Sequence, residues 1–515
     1  MTTPGTGAPA RPVPVESTPV PKDSLTPDQR AALTALLRAT PIIGELGAAF
    51  AEAGHSLFLV GGSVRDVLLG SLVHDLDFTT SADPTTTEQV LRQRADHVWD
   101  IGKDFGTISA KKSTPDQYGH PVEWIIEVTT YRADAYRADS RKPEVRFGDS
   151  IEDDLIRRDF TINAMAINAV DGTFVDPHGG LDDLRNHLLR TPFAPERSFS
   201  DDPLRMMRAA RFASQLGFTI EPATFTAMSD LAQRIEIISA ERVRDELSRL
   251  LLTDHPRAGL DALVRSGLAD RILPELPALQ LETDEHHRHK DVYDHSLIVL
   301  EQSIELERTR GHEPDLVGRL AALLHDIGKP ATRRFEDGGR VSFHHHDVVG
   351  AKLTRKRLRA LRYSKDQIEA VSKLVDLHLR FHGYADVMAA DSEQGWTDSA
   401  VRRYVRDAGD QLERLHILTR SDCTTRNQRK AARLRNAYDD LERRIEQLAN
   451  QEELDAMRPD LDGEQIMAQL GVKPGPMVGK AYKYLLNLRI EQGPLGEERA
   501  REALDQWWRD QGAQQ

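Results

Sequence analysis

The sequence predicts an α+β chain, with a small β-sheet head carrying helices followed by an all-α neck, body and tail. Three observations carry this. At 515 residues the chain exceeds what one ordinary core organises, so several domains are expected. Between Leu57 and Thr191 short β-rich runs (SLFLV, HDLDFTT, GTISAKK, VEWIIEVTTYR) alternate with helical ones, and MAINAV and TFVDP flank Asp171-Gly172 as a hairpin would. After Pro195 strand patterns nearly vanish, and apolar residues recur at helical spacing in DPLRMMRAARFASQL, AERVRDELSRLL and YDHSLIVLEQSIELE.

Taken in order, residues 1–24 are rich in Pro and Thr and lack the basic start and apolar centre of a secretory signal, which predicts a disordered tail. The head is expected over 25–194, a helical neck over 195–255, a helical body over 256–440 and a helical tail over 441–515. Charged residues make up 29% of the chain and no apolar run approaches the roughly 18 residues of a membrane helix, so no membrane partner is expected. Cys423 is the single cysteine, which excludes an intrachain disulfide and suits a reducing cytoplasm. The net charge of −14 argues against indiscriminate coating of nucleic acid. Local basic runs exist nonetheless, with seven basic residues and no acid in Lys352–Lys365 and five in Arg426–Arg435. Solvated helix faces and phosphate-backbone contacts are both open readings for them. The oligomeric state is not encoded in any of these features.

The chemistry begins in LVGGSVRDVLLGSLVHDLDF. Residues i and i+2 of a strand face the same way, so Asp75 and Asp77 share one face while Leu76 and Phe78 share the other. Two carboxylates so close repel unless a cation lies between them, and Mg²⁺ fits because it takes hard oxygen ligands and shares its shell with phosphates and water. Gly61 and Gly62 turn the chain from strand to helix, a place where backbone N–H groups receive phosphate, and Arg65 adds charge in the first helical turn. A phosphate cradle, continuing through Ser63, that feeds a two-aspartate strand describes a nucleotidyl-transfer site.

GGSVRDVLLG followed by HDLDF resembles the polymerase-β-type nucleotidyltransferase superfamily, and more narrowly the bacterial-type (class II) CCA-adding tRNA nucleotidyltransferases and the related bacterial poly(A) polymerases. The resemblance implies a further metal-supporting carboxylate at Glu127, with Glu123 on the same strand face as the alternative. It implies ribose and triphosphate contacts from RRDFTINAMA at Arg157, Arg158, Asp159 and Asn163, and a spring between head and neck at Asp176, Gly180 and Arg185.

SDDPLRMMRAARF places Asp202 and Arg205 three residues apart, on one helix face by local rules. A capping Asp, a first-turn Pro203 and a surface salt bridge form one reading. The other is base recognition: cytosine and adenine each show an amino donor beside an unprotonated ring nitrogen, which an Asp acceptor next to an Arg donor matches and which uracil and guanine oppose. In the resembled family the Glu/Asp-Asp-x-x-Arg element has this role, and Asp201 stands here where Glu is usual. The implied activity is addition of CMP, CMP and AMP to the tRNA 3′ end from CTP and ATP.

In the body, YDHS (His295), HDIGK (His325, Asp326) and RSDC (Asp422) give the H…HD…D order that resembles the HD phosphohydrolase domain, with His346 and His378 where two-metal members place extra ligands. A mixed His/Asp set suits a second divalent metal of the transition series, Mn²⁺, Ni²⁺, Fe²⁺ or Zn²⁺, better than Mg²⁺ alone. His286, His287, His289, His344 and His345 fit no slot, and Lys329 either binds phosphate or begins a turn. Poly(A) synthesis, addition of only C or only A, and a non-catalytic RNA-binding scaffold are the alternatives. HVWDIGKDFGT resembles the flexible loop associated with A addition, and the HD pattern is unusual for bacterial poly(A) polymerases.

Overall fold

The computed structural model describes residues 25–71, 75–100, 103, 106–115, 120–131, 148, 150–280, 292–336, 340–381, 396–423, 428–452 and 458–512. The expected N-terminal tail, part of the HVWDIGKDFGT segment, the start of the Arg426 basic run and His286, His287 and His289 lie outside these residues. Backbone proximity divides the chain into two units, one reaching Glu246 and including Ala258–Arg271, the other comprising Leu247–Arg257 and the residues from Ile272 onward. No single helix among the described residues is long and apolar enough to cross a membrane.

The first unit is built on a seven-stranded mixed sheet. Its strands are β1 (Leu57–Val60), β2 (Asp75–Thr80), β3 (His97–Trp99), β4 (Thr107–Pro115), β5 (Pro121–Thr130), β6 (Ala166–Asn168) and β7 (Phe174–Val175), in the order β3-β4-β5-β2-β1-β6-β7. β2 and β5 run parallel and every other neighbouring pair is antiparallel. Alternation fixes the two faces: Trp124, Ile126 and Val128 of β5 are buried, while Glu123, Ile125 and Glu127 point outward. Helices Pro41–Glu52, Gly62–Leu68 and Pro84–Arg92 pack on this sheet. β6 and β7 form the hairpin expected around Asp171-Gly172, with Gly172 at φ +71. The helix Pro27–Ala39 starts on a capping box in which Thr26 accepts from Gln29 N at 3.2 Å and Gln29 accepts from Thr26 N at 3.1 Å.

Asp176 accepts from the backbone N–H groups of Gly180 (2.7 Å) and Leu181 (2.9 Å), so the DPHGG segment is a capped turn into the helix Gly180–Arg185. A Cβ on Gly180 would meet the Thr161 carbonyl oxygen at 2.2 Å, and only glycine permits this approach. Arg185 reaches Gln29 and Asp182.

Three short strands fall in the parts expected to be all-helical, the first of them pairing with a strand at the end of the head. β8 (Leu188–Leu189) pairs in parallel with β9 (Thr219–Ile220), and in the second unit β10 (Arg333–Glu336) pairs with β11 (Arg340–Phe343) as a hairpin. Each strand is four residues or fewer, too short for a period-2 pattern to stand out from helical surroundings. The rest of the second unit's core is helical. Val292–Thr309, Leu316–Leu324, Lys365–Leu377 and Leu412–Ser421 pack around buried Leu297, Leu300, Leu320, Leu323, Leu374 and Leu418. A C-terminal cluster of Leu461, Ile466, Ala481, Leu485, Ala500 and Leu504 closes the last three helices on each other.

Candidate active site and candidate metal centre

The parallel pairing of β2 with β5 sets Asp77 opposite Glu127 and Asp75 opposite Ile125, so Asp75, Asp77 and Glu127 project from one outward face of adjacent strands. Partial burial pushes the Asp77 carboxyl above its usual range, and the Asp75 charge pushes the same way against the pull of Arg158 and Arg65. Glu127 is raised by partial desolvation and then by Asp77 and Asp75. Three carboxylates on one face, two of them raised by burial and crowding, are a donor set suited to a divalent cation. Glu123, the alternative, is ion-paired to Lys111 at 2.6 Å.

Gly61 turns from β1 into the helix Gly62–Leu68 at φ +71, ψ −136, a conformation for glycine. A Cβ there would stand 3.1 Å from Arg158 Nη1 and 3.8 Å from Asp77 Oδ2, so the turn, the arginine and the carboxylate meet at one point. Ser63, expected in the phosphate cradle, also joins the turn to the next strand. Its hydroxyl donates to the Asp75 carbonyl (3.0 Å) and accepts from Asp77 N (3.1 Å), which pins the turn to the aspartate strand.

Arg65 and Asn163 are also committed inward. Arg65 is buried, grips the neighbouring Asp66 and donates to Asn163 Oδ1 at 2.7 Å. Asn163 donates to Asp159 Oδ1 at 2.9 Å, and Asp159 Oδ2 takes the Arg208 guanidinium at 2.8 Å. Burial opposes ionisation of Asp159, yet Arg208 and Asn163 hold its carboxyl well below the usual range. Arg157 and Arg158 flank buried Asp154 at 2.8 and 2.9 Å; against the cost of burial, Arg158 and Arg157 keep it ionised. The RRD segment is thus a buried ion network with the Arg158 side chain passing close to the turn.

Asp202 and Arg205 do not share a helix face. The helix begins at Leu204, and Asp202 precedes it in extended conformation because Pro203 disfavours a helical residue before it. Asp202 accepts from Leu204 N (3.1 Å) and pairs with Arg242 (3.2 Å), not with Arg205. Arg205 donates to Ser198 at 2.8 Å and to the Arg157 carbonyl, tying this element to the RRD segment. Arg208 and Arg242 escaped the sequence reading because their partners lie 49 and 40 residues away; Asp154 and Ser198 are near theirs in sequence but are polar residues that no motif marks. The signals that could have found them are the three- and four-residue spacing of Asp154 from Arg157 and Arg158 and the Arg205/Arg208 spacing.

The second unit holds a histidine–aspartate centre, all six members of which the sequence had selected. His325, His378 and Asp422 each follow the last residue of a helix, and His346 begins one. His325 Nδ1 donates to Ala322 O (2.9 Å), His378 Nδ1 to Val375 O (2.6 Å) and His346 Nδ1 to Phe343 O (2.8 Å). Carbonyls only accept, so Nδ1 carries a proton in all three, and in the neutral ring, the form a metal binds, Nε2 is the lone pair that faces Asp326. Those Nε2 atoms lie 3.2, 3.9 and 3.3 Å from Asp326 oxygens, in that order. All three are buried, and none has a properly directed hydrogen bond among the described residues. His295 Nε2 lies 2.9 Å from Asp422 and 3.6 Å from Asp326. Two groups result, His295–His325–Asp422 and Asp326–His346–His378, with potential ligand atoms within 4.8 Å of each other in each. Burial drives His378 down to about 4, and His325 adds to that. Buried lone pairs facing a shared carboxylate fit metal ligation. Lys329 is turned inward, 2.6 Å from Asp326.

Residues 57–190 match the Poly A polymerase head domain, 217–279 the domain described as "Probable RNA and SrmB- binding site of polymerase A", and 292–427 the HD domain. An A-adding tRNA nucleotidyltransferase of Deinococcus radiodurans is 37% identical over 370 residues, which is 70% of this chain and 80% of that protein. A CCA-adding enzyme of Lacticaseibacillus paracasei is 41% identical over 247 residues, 48% of this chain and 56% of its own length. Among solved structures, the Bacillus stearothermophilus CCA-adding enzyme in complex with CTP shares the fold at TM-score 0.58 and 22% identity, covering 95% of this chain and all of that one. The Thermotoga maritima CCA-adding enzyme complexed with tRNA does so at TM-score 0.57 and 18% identity, over 92% and 97%. A relative matched this closely over most of its length settles the family: this chain belongs to the tRNA nucleotidyltransferases.

Proposed function

We propose that this protein adds CCA to the 3′ end of tRNA without a template, using CTP and ATP. The observation that carries the reading is the convergence of Asp75, Asp77 and Glu127 on one sheet face with Arg158 beside the Gly61 turn. The terminal hydroxyl of the RNA attacks the α-phosphate, a new phosphodiester forms, and pyrophosphate leaves. Mg²⁺ bound by Asp75 and Asp77, with Glu127 in support, would supply neutralisation of the charge that develops on the phosphates. Arg158 and the turn's backbone N–H groups orient the triphosphate. Asp202 and Arg205 read the base: each Asp202 oxygen retains a lone pair beyond its present partner for the exocyclic amine shared by C and A. A wrong base leaves buried groups unpaired and is rejected.

The Deinococcus relative is named for A addition alone, and this favours a second reading in which only the terminal A is added. Incubation of tRNA lacking its last three nucleotides with CTP alone separates the two. The CCA reading expects growth by two nucleotides, then a third on adding ATP. No growth with CTP, but one A added to tRNA ending in CC, selects the A-adding enzyme, and long A tails on unrelated RNA select poly(A) synthesis.

We further propose that the histidine–aspartate centre is a divalent-metal phosphohydrolase acting on phosphate esters, 2′,3′-cyclic RNA ends among them. Its support is the trio of imidazoles whose Nδ1 protons are held by carbonyls three residues earlier, which aims each Nε2 at the shared carboxylate. In Mn²⁺ or Ni²⁺, cyclic-phosphate hydrolysis is expected to fall at least about 100-fold in His325→Ala, a loss typical of a group essential to the chemistry. Turnover equal to that of the unsubstituted protein removes the assignment.

A further inference from the structure

The hairpin β10–β11 stands beside the histidine–aspartate centre, and the assignments above use nothing of it but the Phe343 carbonyl that accepts from His346. Phe335 on β10 is 73% exposed, the most of any large apolar residue among the described ones. Cross-strand pairing of Arg333 with Phe343 and of Phe335 with Val341 puts these four side chains on one face of the ribbon. The Arg333 guanidinium lies 4.7 Å from the Phe335 ring centroid. At the base of the same face, Lys329 Nζ is 5.7 Å from the Phe343 ring and 2.6 Å from Asp326 Oδ2. A continuous track therefore leads from the buried carboxylate through an ammonium, a ring and a guanidinium to a ring in open solvent. Arg333 Nε is buried and donates to nothing among the described residues, a donor still short of an acceptor.

Alternating rings and cations suit one class of partner. Single-stranded nucleic acid offers bases that stack on exposed aromatics and phosphates that pair with interleaved cations. A protein or lipid partner would call for a wider apolar patch than one ring supplies. We propose that β10–β11 is a docking arm for a single-stranded RNA end, with a base stacked on Phe335, a phosphate on Arg333, and the terminal phosphate ester directed past Lys329 to the metal centre. The inference rests on the phosphohydrolase reading for its last step and deepens it by assigning the element that holds the RNA strand.

The test uses a fluorescein-labelled hexauridylate ending in a slowly hydrolysed 3′-phosphorothioate, titrated with the full-length protein in Mn²⁺. Phe335→Ala is expected to weaken binding about tenfold, the loss of one stacked base. Phe335→Trp is expected to bind as the unsubstituted protein does, and its added indole emission to be quenched at saturation. Equal affinity for Phe335→Ala and the unsubstituted protein, or unquenched emission from Phe335→Trp, overturns the proposal. Binding is read without turnover, so bound RNA that is never hydrolysed counts against the hydrolase reading and not against the docking arm.

Discussion

Asp77→Asn is expected to cut nucleotide incorporation by on the order of 10³-fold while leaving the melting temperature unchanged or slightly raised. The two effects separate because of where the residue stands. Its backbone N–H holds the Ser63 hydroxyl and its strand is paired on both sides, and an amide of the same shape preserves all of this. What disappears is a half-buried charge crowded by Asp75 and desolvation, so the fold loses a repulsion and the site loses a ligand. Label transfer from CTP or ATP together with a thermal melt checks both. A variant that melts early but still incorporates would show Asp77 to be a structural residue only.

The largest stability effect is expected in the second unit, at Arg319. This side chain is the largest fully buried one among the described residues, and it donates to Glu307 at 2.8 Å and to the carbonyls of Leu251 and Thr253 at 2.8 Å. Arg319→Ala strands a buried carboxyl and two carbonyls, which costs about 3–5 kcal/mol. For a unit of this size that lowers the melting temperature by about 10 °C. Burial already pushes the Glu307 carboxyl up, so the stranded group would take a proton. Replacing the pair together, Arg319→Met with Glu307→Leu, is expected to recover much of the loss, because an apolar pair has no charge to desolvate. Calorimetry of the single and double variants decides; a double variant no more stable than Arg319→Ala contradicts the account.

The sequence made the carboxylate strand legible because period-2 alternation and a glycine turn are local signals, and Asp75-Leu76-Asp77 needs no partner to be read. The histidine centre was legible for another reason: it is an ordered set of ligand types, whose joint occurrence is rarer than any member. Ser63, Arg65 and Asn163 were located but their partners were not. A serine in a phosphate-binding turn and one pinning two backbones are identical in sequence, and the Arg65–Asn163 bond spans 98 residues. The Asp202–Arg242 pair failed similarly, since helical spacing suggested Arg205 and only tertiary packing brought Arg242 instead. The β10–β11 hairpin was missed although Asp337-Gly338 between RRFE and RVSF carries a turn signal, because four-residue strands sit below the length at which alternation is distinctive.

The three imidazoles whose Nδ1 protons are spent on carbonyls three residues behind them carry one more implication. Tautomer choice and ring rotation are settled when the chain folds, before any ion arrives, so capture of a cation freezes little that was still moving. Affinity at such a site comes from rigidity acquired earlier, and lengthening one of those three hydrogen bonds should loosen the ion's grip as surely as deleting a ligand.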